Sequence, residues 1–287
     1  MVMAAVSLTA IPVVATAGSG STHAAVRQRV ESSMLVRGEV FIEVDGSVSA
    51  LQLHREEVLP PAVAKLVRDA VLQWRFEPVM EGGHVVRARA PMSLRVVARK
   101  LEGDQYDVSL RGVNFYSYES GDPKRVSTID MKPPHYPEQA FLAGASGNVY
   151  LLVKIGRDGK VEDAFAEQVN LTFLSNEADQ RRFRDVFAKS AVAAARRWRF
   201  RVPSEGEAAA QSSWNVRVPV DYSLGDAVRR DDDGYGRWVS YVPGPRERAP
   251  WRDETQEAGF SLDTLADGGI YMADDRGPHL LTPLQGG

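Results

Sequence analysis

Cysteine, histidine and clustered carboxylates supply most metal sites and nucleophilic catalysts, and in this chain they are absent or scattered. There is no cysteine, which excludes disulfides, thiol catalysis, zinc–thiolate sites and a lipid-modified cysteine. None of the five histidines lies at metal-ligand spacing from another or beside a nucleophile motif. These are His23, His54, His84, His135 and His279. The sequence therefore favours binding through surfaces over metal chemistry.

One run of carboxylates, Asp231 to Asp233 followed by Gly234, has a composition that suggests calcium. A calcium loop, however, alternates its ligands with other residues, and this run is continuous. A solvated acidic turn is the better interpretation. The chain also lacks a phosphate-binding loop, a dinucleotide fingerprint and a nucleophile elbow. We therefore expect no enzymatic activity, no metal and no small-molecule cofactor.

The composition indicates a folded protein with a sizeable core. The chain has 287 residues, enough for two ordinary domains, with 44% hydrophobic and 25% charged residues. Its formal net charge of −3 argues against a general nucleic-acid binder. We therefore expect partners other than nucleic acid.

The first 17 residues are apolar, rich in small side chains and uncharged. They end in Ala15-Thr16-Ala17, which has the form of a signal-peptidase site. The basic start of a signal peptide is missing, so the segment is also compatible with part of a membrane anchor or with a misassigned start. The first interpretation predicts export to the periplasm.

The tripeptide Trp-Arg-Phe occurs twice, at 74–76 and at 198–200. Before each copy, apolar residues recur with helical spacing and end at the tryptophan. In the first copy they are Val63, Leu66, Val67, Ala70, Val71 and Trp74; in the second they are Phe183, Val186, Phe187, Ala191, Ala194, Ala195 and Trp198. Each tripeptide therefore follows a predicted amphipathic helix.

The surroundings of the two helices also recur. Asp45-Gly46 and Asp158-Gly159 each lie between two apolar runs, which predicts a β-hairpin, because glycine accepts the positive φ of the turn. After each tripeptide, at 88–96 and 214–222, apolar and polar residues alternate as in a half-buried strand. The common order is strand, turn, strand, helix and strand. It predicts an α+β protein made of two tandem modules.

The second unit resembles the TonB C-terminal domain, the periplasmic end of a Gram-negative energy transducer. The resemblance covers about residues 132–224, and the first unit looks like a degenerate copy over about 36–97. The positions that match the family pattern are Pro134, Tyr136, Pro137, Ala140, Gly144, Gly147, Val149, Asp158, Gly159, Trp198, Arg199 and Phe200. The family fold that this implies is a three-stranded antiparallel sheet with one packed helix.

The domain organisation follows from these units. We assign 1–17 to the leader, 34–100 to the degenerate module, 101–130 to a linker, 131–224 to the TonB-like module and 225–287 to a tail. The linker is polar and has strand-like alternation at 108–118. In the tail, acidic residues outnumber basic ones and periodicity is weak, which predicts disorder or extended packing on the modules.

The sequence also assigns roles within each module. Trp74 and Trp198 should be buried, because each completes the apolar face of its helix. Arg75 and Arg199 lie between two core residues and should point outward.

In the family, a short transporter segment pairs with the last strand, here around 213–224. The resemblance therefore implies a partner-binding set, in which an extended peptide adds to the sheet edge. Its members are Tyr136, Pro137, Val216, Arg217, Val218, Pro219, Val220 and Asp221. We expect Arg217 and Asp221 to flank the peptide. Because proline lacks an N–H, Pro219 either faces away from the ligand or protects the edge.

Two functions remain open from the sequence. The first is a TonB-like periplasmic partner of outer-membrane transporters. The second is a periplasmic scaffold that binds proteins without transducing energy; this sequence has no proline-rich spacer of the kind that TonB uses to cross the periplasm. Homodimerisation through edge strands, or coverage of the edge by the tail, would compete with transporter binding.

Overall fold

The computed structural model describes residues 30–100, 106–115, 121–224, 235–252, 261–265, 268–274 and 277–284. The predicted leader and the Asp231–Asp233 run lie outside these ranges. The described chain forms two main antiparallel sheets, each with a helix on one face, so the α+β class is confirmed.

The first sheet contains five strands and packs against helix α1 (Pro61–Val71). Its strands are β1 (Glu31–Ile42), β2 (Val48–Leu53), β5 (Ala88–Lys100), β6 (Tyr106–Asn114) and β12 (Val239–Tyr241). β1 pairs with β5 along one side, and with β12 and then β2 along the other. A small separate hairpin consists of β3 (Met80–Glu81) and β4 (His84–Val85).

The second sheet has four strands in the order β13-β11-β8-β9 and packs against α3 (Glu177–Ala195). Its strands are β8 (Gly147–Gly156), β9 (Val161–Leu171), β11 (Ser213–Tyr222) and β13 (Tyr271–Met272). A short helix, α2 (Glu138–Leu142), precedes β8. A two-stranded ladder joins β7 (Ser127–Asp130) to β10 (Arg199–Arg201).

Both tryptophans of the repeated tripeptide are in the cores, as predicted. Trp74 is 2% exposed and Trp198 is 3% exposed, and the phenylalanine two positions after each is buried beside it. In both cases the two rings pack edge to face. Arg75 and Arg199 are exposed, which confirms the predicted outward direction.

The two Asp-Gly turns make the same contacts. Gly46 and Gly159 have φ values of 78° and 72°, as the hairpin prediction requires. The carbonyl oxygen of each glycine accepts a hydrogen bond from the amide of the tripeptide phenylalanine, at 2.8 and 2.9 Å. Each turn is therefore hydrogen-bonded to the tripeptide that follows the helix of its own unit.

Replacing Gly159 with alanine should destabilise the protein by about 2 kcal/mol or more. The new Cβ would overlap the carbonyl oxygen of Phe200, and the positive φ alone costs about 1–2 kcal/mol. Gly144→Ala is the matched control, because its φ is 65° but no atom lies within 4 Å of the added Cβ. Urea titrations of both variants test this, and equal losses of stability would contradict the role of the contact.

The linker and the boundaries of the sheets differ from the sequence prediction. The predicted strand at 108–118 corresponds to β6, which ends at Asn114 and joins the first sheet beside β5. The end of the same linker forms β7, which pairs with β10. The described parts of residues 101–130 thus belong to the folded structure. The three-stranded sheets expected from the family gain strands from the linker and the tail.

The described parts of the tail pack in an extended manner. β12 adds to the edge of β1, and Val242 then forms an isolated bridge with Leu171 of β9. β13 adds to β11, and near the C-terminus Leu280 bridges to Phe76 of the first unit. The tail therefore contacts both sheets. It adds to edges that the sequence alone would leave open.

Candidate peptide-binding edge

The strand expected to receive a partner, β11, lies between β8 and β13. Val216, Val218 and Val220 point to the helix side and are buried in the second core. A peptide added to β11 would pair with the strand's backbone, and these main-chain hydrogen bonds supply much of the affinity in strand addition. Its helix-side residues would lie beside these valines, as Met272 lies opposite Val216.

The outer edge of β11 is identified by one hydrogen bond. The Asn215 carbonyl oxygen accepts from the Ala273 amide at 2.8 Å. Since backbone polar groups point alternately to the two sides of a strand, Asn215, Arg217, Pro219 and Asp221 direct theirs outward. The missing N–H of Pro219 therefore lies on this edge and costs no hydrogen bond to β8.

β13 occupies only part of this edge. Its two residues lie opposite Val216 and Arg217, and Ala273 adds the hydrogen bond to Asn215. Among the described residues, no strand pairs with the outer edge from Val218 to Tyr222. A two-residue strand forms few main-chain hydrogen bonds, so its hold on the edge depends largely on its side chains.

The opposite edge of the second sheet also contacts the tail. Val242 and Leu171 exchange two backbone hydrogen bonds, at 2.7 and 3.1 Å. Further along β9, the Glu247 amide donates to the Glu167 carbonyl oxygen at 2.7 Å. The tail thus runs antiparallel to β9, as β13 does to β11, and both edges are partly covered.

Described parts of the tail also pack on the outer face of the sheet, the face away from α3. Leu152 is buried against Ala249 and Ala273, with Phe165 and Trp251 packed beside them. A second cluster joins Tyr150 to Leu262, Leu265 and Tyr271. Both faces of the second sheet are therefore covered by apolar side chains.

Arg217 takes part in a buried ion pair on this outer face. Its Nε lies 3.0 Å from Oε2 of Glu167, and the two side chains are only 2% and 3% exposed. Arg217 is directly opposite Leu152, so both side chains are on the face that the tail covers. We expected Arg217 to flank a docked peptide; the structure buries it beneath the tail instead. The pairing was not visible in the sequence, because Glu167 is 50 positions away.

The structure brings Tyr136 to the end of β11. Its ring packs edge to face against Tyr222 at 5.7 Å and against Phe187 at 5.9 Å, and its hydroxyl donates to the Ala145 carbonyl oxygen. Burial raises the pKa of Tyr136, and it raises the pKa of Tyr222 to about 12, so both hydroxyls stay protonated at neutral pH. Pro137 is half-buried at the start of α2.

Asp221 remains at the surface near Tyr222. Its carboxylate accepts a hydrogen bond from the Ser223 hydroxyl at 2.6 Å and lies 3.4 Å from the Asn148 amide nitrogen. Of the two charged residues expected beside a peptide, Asp221 is thus the exposed one.

Two other kinds of feature are absent from the described part of the chain. No group of three or more histidine, aspartate or glutamate side chains is arranged to hold a metal ion there. None of the helices in that part combines the length and the apolar character needed to cross a bilayer.

A comparison with curated proteins identifies two relatives, both called Protein TonB. They come from Xanthomonas campestris pv. campestris, strain B100 and a second strain, and each is 37% identical to this chain over 100 residues. The chain is TonB-like over about a third of its length. The TonB-like match covers 34% of this chain and only 38% of each relative.

Two other comparisons found nothing. No protein-family model matches the chain. No solved structure matches it either. The TonB similarity therefore rests on these curated relatives and on the residues of the chain itself.

Proposed function

We propose that this protein is a TonB-like periplasmic protein that binds an extended peptide of an outer-membrane transporter at the edge of β11, in energy-coupled transport. One observation carries the proposal: a short segment of the chain, β13, already lies on this edge as an added antiparallel strand. The edge is thus compatible with an extended peptide, and the similarity to Protein TonB suggests the source of that peptide.

We further propose that the two sheets with their helices are tandem modules, the first a degenerate copy of the second. The support for this proposal is that the same individual contacts occur in both units, beyond a general similarity of shape. In both units the Asp-Gly turn accepts the same amide hydrogen bond, and a tryptophan–phenylalanine pair fills the same place in the core. We assign the partner-binding role to the second unit, where no described strand pairs with the outer edge of β11 from Val218 to Tyr222.

A periplasmic scaffold without energy transduction is the second candidate, and the tail favours it. The tail covers part of both edges of the second sheet and adds a strand to the first. Such coverage prevents unwanted strand pairing, including pairing between two copies of the chain. A scaffold would keep the tail in place, whereas a transporter partner would have to displace β13.

The experiment that tests the proposal is a titration with synthetic N-terminal segments of transporters from the same organism. The full chain is compared with a release variant carrying Ile270→Asp and Met272→Asp. These two side chains are buried in the second core, so a charge on each should expel β13. Leu281→Asp is the matched control, since this tail residue is 53% exposed.

We expect the release variant to bind at least about tenfold more tightly than the full chain. In the full chain β13 competes for the edge, so the apparent affinity for a peptide is reduced to the fraction of molecules in which β13 has left. The control should bind like the full chain. If neither the full chain nor a folded release variant bound any segment, the transporter proposal would be wrong and the scaffold candidate would remain.

A further inference from the structure

We infer that the second module selects peptides with an aromatic residue between two apolar ones, through an aromatic slot formed by Tyr150, Leu262 and Leu265. This inference rests on the proposed peptide-binding function and specifies its ligand. The slot now holds Tyr271, which is 6% exposed and packs with these three residues.

The segment around β13 shows which side chains the site accepts. Ile270 and Met272 enter the core on the helix side, whereas Tyr271 and Ala273 point to the outer face. Consecutive residues of an extended chain point to opposite faces, so side chains on both faces of the added strand contact apolar surfaces of the protein. If the outer face of the sheet met water, only the side chains on the helix side would be selected.

The residue two positions before the aromatic must be small. A Cβ added to Gly269 would lie within 2.6 Å of the Tyr271 ring. The glycine backbone therefore packs directly on the ring and closes the slot. The preferred ligand is thus an extended peptide with the order small, apolar, aromatic, apolar, small, as in residues 269–273.

The slot should persist when β13 leaves, because its walls are held by other contacts. Tyr150 belongs to β8, in the middle of the sheet. The turn that carries Leu262 and Leu265 is anchored through Asp263, which accepts hydrogen bonds from Tyr241 at 2.9 Å and from Ser261 at 2.6 Å. Asp263 also lies 3.8 Å from Arg95 of the first sheet. An incoming peptide would therefore find a preformed cavity.

The direct test uses three synthetic peptides and the release variant. The first peptide has the sequence of residues 268–274, and the other two carry Tyr271→Phe and Tyr271→Ala. A buried aromatic ring contributes a large apolar area, so the phenylalanine peptide should bind at least about tenfold more tightly than the alanine peptide. The full chain should bind all three more weakly than the release variant.

A second measurement avoids any dependence on the folding of the release variant. In the full chain, hydrogen exchange of the Ala273 amide reports how often β13 leaves the edge, since this amide donates to Asn215. Tyr271→Ala should speed this exchange by at least about tenfold, and Tyr271→Phe should change it much less.

The outcomes separate the inference from the function on which it rests. If the alanine and phenylalanine peptides bound equally well, the edge would accept strands but the slot would not select them, and only this inference would be wrong. If no peptide bound and exchange at Ala273 were the same in both variants, the edge would not be a strand-binding site, and peptide binding by β11 would be wrong as well.

Discussion

Replacing Trp198 with alanine should lower the free energy of unfolding by about 3–5 kcal/mol, the usual cost of removing a buried tryptophan from a core. Trp198 is 3% exposed, packs against Phe200, and donates its indole N–H to the Lys132 carbonyl oxygen at 2.8 Å. The substitution thus creates a cavity and also leaves an acceptor without its donor. Urea-induced unfolding measured by circular dichroism gives the loss.

Two matched variants separate these contributions. Trp198→Phe keeps an aromatic ring but also removes the indole donor. It should cost about 1 kcal/mol for the lost hydrogen bond plus the cost of a small cavity, and so less than the alanine variant, which leaves a larger cavity. Trp74→Ala makes the same change in the first core, where Trp74 is 2% exposed. Hydrogen exchange should show that each alanine variant weakens its own sheet more than the other. A Trp198→Ala protein as stable as the parent would refute the core assignment.

Breaking the buried ion pair should have an effect of similar size. Arg217→Ala or Glu167→Ala each leaves one charge in a site where the side chains are 2–3% exposed, and stranding a buried charge typically costs about 3–5 kcal/mol. The double replacement Arg217→Met with Glu167→Leu should cost less than either single change, because no charge remains buried. Equilibrium unfolding of the three proteins forms the test.

The control for this prediction is an exposed pair. Lys189 and Asp185 lie 2.7 Å apart on α3, with side chains 76% and 59% exposed, so Lys189→Ala should change stability by less than about 1 kcal/mol. If Arg217→Ala were as mild as Lys189→Ala, Arg217 would not be the desolvated partner that the structure describes. Arg217 would then be available beside the strand edge, as the sequence had suggested.

The local elements could be predicted because each leaves a pattern in neighbouring residues. Helical spacing before the two tryptophans predicted α1 and α3, and period-two alternation predicted β5 and β11. The Asp-Gly pairs predicted the two turns, since glycine tolerates the positive φ found at Gly46 and Gly159. These patterns also carried the resemblance that the curated TonB relatives support over a third of the chain.

Only part of the candidate site could be predicted from the sequence. The alternation at 214–222 indicated a strand, and the resemblance indicated its edge. The direction of the Pro219 backbone depended on the hydrogen bond between Asn215 and Ala273, which are far apart in the chain. The position of Tyr136 beside Tyr222 is likewise a contact between distant residues.

The sequence by itself determined the two Asp-Gly turns, the buried aromatic residues of the repeated tripeptide and the resemblance to TonB that the curated relatives support over about a third of the chain. Only the tertiary structure decided that the tail adds β12 and β13 to the two sheets, that Arg217 is buried against Glu167, and that Tyr271 fills a slot on the outer face. The reason is physical: strands of two or three residues are too short to show a period. The strands with which β12 and β13 pair are determined by main-chain hydrogen bonds and apolar contacts, and these form only after distant segments have come together.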